Sequence, residues 1–308
     1  MELRQLRYFV KVCELRSMGR AALELGIVTS ALSQQISRLE GELSTRLLQR
    51  SSAGVTPTAA GTAFLHQAQL TLRHAADAVL AAQQARLSGH VSVGLAPTTA
   101  SVLGVALIQA MRERYPDVRL HLVESLSGHL THMLHARQLD LAVLFKTGTL
   151  QRLSIKPVLE EKLFLIASTA TATHAATDTL ALRQLADVPL ILPSAHHGLR
   201  ATLTAAFARE RIEPTVVAEI DGLALLMDAV HAGLGATVQP GAALARHRTR
   251  DLRFNLITDE HAGRQNMLAS LSDDELSPAA LATRVVIEDT MRSLVAAGRW
   301  RGASILEN

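Results

Sequence analysis

The chain has 308 residues, 48% of them hydrophobic and 19% charged, with a formal net charge of +3. That length predicts two or more compact units, and the apolar share excludes disorder as the general state. No uninterrupted apolar run approaches the ~18 residues of a membrane span. One cysteine, Cys13, excludes an internal disulfide and fits a reducing compartment, so a cytoplasmic location is expected. The opening MELRQLRYFV carries charges within its apolar run and lacks a small-residue cleavage site, so no secretory signal is expected. The charge is uneven: residues 1–88 carry +4 and the remainder −1, as expected if the first segment meets a polyanion.

In chain order, Leu3, Leu6, Phe9, Val10 and Cys13 fall at helical spacing. Ser17 suits the cap of a second helix from Met18 to Leu25, and Gly26 suits the sharp turn after it. A third helix is expected from Thr29 to Leu43, with Leu32, Ile36, Leu39 and Leu43 on its buried face. Thr29, Ser33, Gln34, Ser37 and Arg38 project elsewhere. The polar, Gly/Pro-marked SSAGVTPTAAG reads as a small hairpin. A long helix follows from Thr58 to Leu87, on which Leu65, Ala68, Leu72, Ala75, Val79 and Ala82 repeat at alternating three and four. That stripe suits a seam with a partner helix, with Leu65, Leu72 and Val79 as its larger knobs. Packing against the chain's own core is the alternative. Leu87-Ser88-Gly89 reads as a linker.

Beyond residue 88 the pattern becomes strand and helix in alternation. HVSVGLA reads as a strand, Pro97-Thr98-Thr99 as a polar exit, and Ala100 to Tyr115 as a helix. Val118 to Val123 and Leu139 to Phe145 read as strands around a helix from Gly128 to Arg137. PLILP, a helix from Leu199 to Arg211, TVVAEI, a helix from Leu223 to Ala232, and GATVQP repeat the rhythm. SIKPVLEEKLFLIAS leads from one such unit to the other, LRFNLIT and RQNMLASL lead back, and a last helix runs from Pro278 to Ala297. The expectation is α/β: two open, mostly parallel sheets, two crossings between them, and a ligand cleft at the strand ends.

The N-terminal motifs resemble the LysR-type transcriptional regulators. They run Ser17-x-x-x-Ala21-Ala22-x-x-Leu25, then Ser33-x-x-Ile36-x-x-Leu39-Glu40-x-x-Leu43-x-x-x-Leu47-Leu48-x-Arg50, then Val55-Thr56-Pro57-Thr58-Ala59-Ala60-Gly61. LRYFVKV, RSSAGVTPTAAG and LILPSAHHGLR look like the branch containing the nitrogen-assimilation regulator. The resemblance covers the whole chain. It implies a winged helix-turn-helix over 1–58, a linker and dimerisation helix over 59–88, and a two-lobed α/β effector domain over 89–308, similar to periplasmic binding proteins. Lobe I would be 89–160 with 267–308, and lobe II 161–266. It implies double-stranded promoter DNA and a small-molecule effector as partners, and a homotetramer built as a dimer of dimers. The chain departs from the family pattern, where Gln is usual at Thr29, Pro at Ser30 and often Ser at Val28. Thr29 cannot make a bidentate adenine contact, and Thr29 or Ser30 has to be weighed as helix cap as well as base reader.

A recognition helix presents its amino-terminal residues to base edges, which makes Thr29, Ser30, Ser33, Gln34 and Arg38 the readers, with Arg50 and Thr56 of the wing on phosphates. Ser33 and Gln34 also suit an ordinary solvated face. The resemblance places effector contacts at Thr98, Thr99 and Ser101, at Ser127, and at Ser194, His196, His197 and Arg200. Hydroxyls beside a helix start suit a polar or anionic ligand, and Arg200 can clamp a carboxylate. Surface roles are the alternatives for Arg200 and His197.

His129, His132 and His135 lie three apart, but no carboxylate or cysteine completes a metal shell, so no metal is expected. GxSxG, HExxH, Walker and GxGxxG motifs are absent, so no cofactor and no enzymatic activity are expected. The competing readings are an enzyme or a solute-binding protein with an accessory helical head.

Overall fold

A computed structural model describes residues 1–51, 54–83, 87–145, 153–171, 178–195, 198–259 and 262–306. The chain divides into two compact units, Met1–Arg86 and Leu87–Asn308.

The first unit orders α1 (Leu3–Leu15), α2 (Met18–Glu24), α3 (Thr29–Glu42), β1 (Leu48–Ser51), β2 (Gly54–Pro57) and α4 (Ala59–Gln83). The Ser17 hydroxyl accepts the Arg20 amide at 3.4 Å and starts α2. Gly26, at φ +67°, turns the chain toward α3. Phe9, Leu32, Ile36, Leu39 and Leu47 are buried together, and Phe9 meets Phe64 of α4 edge-on at 5.3 Å. Two polar clips hold the β1–β2 wing. Glu40 accepts the amides of Leu47 and Leu48 at 2.8 and 2.9 Å. Thr58 donates to the Arg46 carbonyl at 2.8 Å and accepts the Gly61 amide at 2.9 Å, capping α4.

Helix α4 is not one uniform exposed stripe. Ala68 is buried in the helix-turn-helix core, Leu65 and Leu72 pack against that core, and Val79 is exposed. The early part of the expected seam therefore serves its own module, the alternative that its spacing allowed. Leu70, off the stripe, is also buried.

The second unit opens with β3 (Gly89–Leu95), α5 (Pro97–Arg114), β4 (Val118–Glu124), α6 (Ser127–His135) and β5 (Leu141–Phe145). It continues through β6 (Ser154–Ser168), β7 (Thr179–Leu180), β8 (Leu190–Leu192), α7 (Gly198–Arg209), β9 (Val216–Glu219), α8 (Leu223–His231) and β10 (Thr237–Pro240). β11 (Leu252–Ile257), β12 (Gly263–Ser270), α9 (Pro278–Ala296) and β13 (Ala303–Ile305) complete it. α5 begins at Pro97, not Ala100. A proline suits the first helical position, where its missing N–H costs nothing. Thr98 and Thr99 thus sit in a first turn rather than a polar exit.

β6 belongs to both halves of this unit. Residues 154–162 pair with β12, and 163–168 pair with β10 and β11. β3 pairs in parallel with β4 and β5, and β8 with β9, but every pairing of β6 is antiparallel. The sheets are therefore mixed rather than mostly parallel, because the strands that cross between the halves run against their neighbours. One apolar core gathers Leu95, Leu103, Leu107, Ile287 and Trp300; another gathers Leu163, Leu190, Leu203 and Phe207.

Candidate functional site

The helix-turn-helix surface follows from what the core leaves outside. Leu32, Ile36 and Leu39 face inward, which leaves Thr29, Ser30, Gln34 and Arg38 exposed and Ser33 half-buried. The N-cap position is Val28, and no side chain caps the helix. Thr29 and Ser30 are therefore the first two helical residues, and neither caps the helix. Arg38 forms an exposed pair with Glu42 at 3.4 Å. Thr56 is half-buried on β2; the Arg50 side chain lies outside the described parts of β1. A shallow polar groove beside α3 adds Ser37, Thr45 and Arg46, which the motif reading did not nominate as contacts.

The second site is a cleft inside unit 2. It is lined by Ala96, Pro97 and Thr98 at the start of α5, Leu126 and Ser127 at the start of α6, and Ile220, Asp221 and Leu223 at the start of α8, with Phe145, Gln239 and Arg264 among the rest. None of these three helix starts has a side-chain cap, so their backbone dipoles face the cleft uncompensated by their own cap residues. The cavity is narrow. A water centre can occupy about 20 Å³ of it, room for one or two waters.

Beneath the cleft lies a buried ionic network. Arg264 and Glu161 are cross-strand partners in the β6–β12 register. Arg264 Nε donates to Glu161 Oε2 at 2.9 Å, and an Arg264 Nη donates to Thr98 Oγ1 at 2.5 Å. The guanidinium lies 3.5 Å above the Phe145 ring. Glu161, fully buried, also accepts from Asn266 Nδ2 at 2.8 Å and from the Trp300 indole at 2.7 Å. Thr99 donates to Asn266 at 2.9 Å. Burial pulls the Arg264 pKa below the usual guanidinium range, and the charge and hydrogen bond of Glu161 oppose it.

The effector residues nominated from sequence divide unevenly. Thr98 and Ser127 line the cleft. Ser127 Oγ accepts the Phe145 amide at 3.0 Å. Thr99 is sealed beneath the lining in the network, and Ser101 bonds back to the Pro97 carbonyl at 3.0 Å. Ser194 holds Asp221 through its amide and hydroxyl at 2.8 and 3.0 Å and does not itself line the cavity. Arg200 is not in the lining either. It is engaged by the Pro193 carbonyl at 3.1 Å and by Glu219 at 2.9 Å. His196 and His197 lie outside the described residues. The charged lining residues Arg264 and Asp221 went unread. For Arg264 and its partner Glu161 the signal was phase: Arg264 shares a face with Asn266 and Leu268 of β12, and Glu161 with Leu159 and Leu163 of β6. A charge in phase with core positions marks a buried pair.

His129, His132 and His135 share α6, and among the described residues no group of three His, Cys, Asp or Glu is placed to hold a metal. Among those residues no helix is long and apolar enough to cross a membrane.

A helix-turn-helix head with an exposed polar face, joined to an α/β unit with an interior cleft, fits a DNA-binding transcriptional regulator with an effector-binding domain. The family models "Bacterial regulatory helix-turn-helix protein, lysR family" and "LysR substrate binding domain" match residues 3–62 and 84–292. The chain belongs to the LysR family. It is 38% identical over 246 residues to the nitrogen assimilation regulatory protein nac of Klebsiella aerogenes, a match covering 79% of each chain. In fold it matches a full-length OxyR variant from Pseudomonas aeruginosa at 23% identity and TM-score 0.76, covering 100% of this chain and 99% of the other. It also matches full-length CbnR complexed with its target DNA at 23% identity and TM-score 0.64, covering 94% and 100%. The nitrogen assimilation protein is named as a regulatory protein, and both family models carry the lysR name of regulators rather than of enzymes.

Proposed function

We propose that this regulator reads double-stranded promoter DNA with α3 and answers to a small polar or anionic effector held in the unit 2 cleft. The observation that carries the reading is the exposed, uncapped amino end of α3 on a module whose apolar stripe is wholly spent on its own core. Thr29, Ser30, Ser33, Gln34 and Arg38 face base edges, while Arg50, Thr56 and Arg46 hold phosphates. Thr98 and Ser127 contact the effector, and the flexing elements are β6 and β12, between a lobe of 89–160 with 267–308 and a lobe of 161–266.

One head spans too few base pairs for selectivity, so two heads pair through α4. Exposed Val79 is the seam residue there, while Leu65 and Leu72 divide their surface between that seam and their own core. The working assembly is a cytoplasmic dimer of dimers. The test is titration onto DNA from upstream of the protein's own gene at several salt concentrations. A steep salt slope with a clear preference over random DNA is expected. Equal affinity for both DNAs would refute the reading.

A further inference from the structure

We infer that Arg46 is a phosphate anchor of the DNA-binding head, and that Glu40 is the positioning residue that places it. The inference rests on the DNA reading above and deepens it.

Three observations lead there. First, the peptide between Arg46 and Leu47 has both of its polar groups held by side chains. The Leu47 amide donates to Glu40 Oε1 at 2.8 Å, and the Arg46 carbonyl accepts the Thr58 hydroxyl at 2.8 Å. The Leu48 amide adds a second bond to the same Glu40 oxygen at 2.9 Å, and the Leu47 carbonyl accepts the Thr58 amide at 2.9 Å. A peptide tied at both polar groups is held against rotation, so the direction in which the Arg46 side chain leaves the backbone is fixed relative to α3. Second, the turn that leads there takes an unfavourable path. Ser44 stands at φ +48°, a left-handed conformation that costs a residue with a Cβ about 1 kcal/mol or more. Third, Arg46 is exposed and has no ion-pair partner among the described residues, and it lines the polar groove beside α3 together with Glu40. A carboxylate in that groove repels a polyanion. Its presence there works against DNA binding unless it places a group that outweighs it.

The length of α3 assigns Arg46 to the backbone rather than to the bases. The helix has 14 residues and is about 21 Å long, against a major groove about 12 Å wide. With its amino end at the bases, the helix outruns the groove, and a cation just past its carboxyl end meets the phosphate wall.

The experiment uses the full chain and DNA from upstream of its own gene, with affinity measured at several salt concentrations. R46Q should weaken binding to that DNA and to random DNA alike, by about fivefold or more, and should lower the salt slope by about one per head. E40A tests the placement. If only charge mattered, removing an anion from the groove would strengthen binding. Loss of a positioning residue weakens it instead, by about threefold or more. In the R46Q background the effect of E40A should vanish, because no anchor is left to place. Thermal midpoints check that each variant is folded. If E40A does not fold, E40Q, a neutral and weaker acceptor, takes its place with the same expected sign.

An affinity and salt slope unchanged in R46Q overturn the anchor. Binding by the Glu40 variant as tight as wild type, or tighter, overturns the positioning role. So does a loss of equal size with and without Arg46, which would mark Glu40 as a support of the head in general. The wild-type control separates these failures from that of the DNA reading. Preference for the upstream DNA with an unchanged R46Q removes the anchor alone, whereas equal affinity of wild type for both DNAs removes both.

Discussion

The outer face of α3 and the floor of the cleft are both polar, yet they are built in opposite ways. Thr29, Ser30 and Gln34 stand in solvent on a helix whose fold is secured by Leu32, Ile36 and Leu39 behind them. Glu161, Arg264, Asn266 and Thr99 are buried, and each is bonded to another member of the same set. On the first surface a side chain can change with little cost to folding, so base preference can vary while the scaffold stays. On the second, each buried group is held by the others, so a change to one disturbs the whole set.

The largest effect should come from breaking the second arrangement. Glu161→Ala strands a buried guanidinium and removes the acceptor of the Trp300 indole, a loss of about 3–5 kcal/mol. It is read as a fall in the unfolding midpoint followed by Trp300 fluorescence, which reports unit 2 because no other tryptophan exists. Glu161→Gln keeps acceptors for the indole while losing the charge, and should fall between mutant and wild type. A Glu161→Ala chain as stable as wild type would mean that the network contributes no net stability.

The first arrangement breaks through its scaffold, not its face. A Cβ added at Gly61 would lie 1.9 Å from the Leu47 carbonyl oxygen, so Gly61→Ala must push α4 away from the wing. A loss of about 1–3 kcal/mol is expected in unit 1, with weaker DNA binding from a residue inside the fold. Ser33→Ala with Gln34→Ala should do the reverse. Stability should move by no more than about 0.5 kcal/mol, while discrimination between the preferred site and its single-base variants falls by about 1–3 kcal/mol. An unchanged footprint and affinity would remove both residues from the set of readers.

The same contrast explains what the sequence disclosed. The helix-turn-helix is local: Ser17 caps the helix it precedes, Gly26 turns the chain beside it, and the stripe from Leu32 to Leu39 repeats within two turns. Periodicity and end signals suffice for that. The longer strands and helices of unit 2 were legible for the same reason, down to β6 over Ser154–Ser168, whereas the short β7 and β13 were not. The cleft was legible only at Thr98 and Ser127, because its other lining residues, as far as Arg264, share no local motif with them. The resemblance nominated Arg200 as a carboxylate clamp, and its actual partner, Glu219, lies on β9, which only the fold brings near. Pro97 was read as part of a polar exit before the helix, where its place at the first helical position makes it the helix start.

Arg200→Ala sharpens that point with a small expected effect. Its pair with Glu219 is half open to solvent, so a loss of no more than about 1 kcal/mol is expected, with the ligand response of the cleft retained. A lost ligand response, measured as a thermal shift, would return Arg200 to the binding machinery and weaken the distinction drawn between the lining and its surroundings.

The smallest effect tests whether titration in unit 2 follows packing as the buried network does. His247 sits against His231 with ring centroids 5.4 Å apart. Its pKa lies below the ordinary 6.5, chiefly because burial penalises the charged ring, then because His231 repels it; Asp228 opposes the shift and Arg246 adds to it. A folded value below the unfolded one means that the folded state binds its proton less readily. The stability tied to neutral His247 is therefore present above the unfolded value and is lost as pH falls through it toward the folded value. Unit 2 should lose thermal stability between about pH 7 and about pH 5 more steeply than a His247→Asn chain, which cannot take up that proton. Parallel pH profiles for the two chains would show that His247 titrates as freely in the fold as in solvent, and that its packing leaves its charge unpenalised.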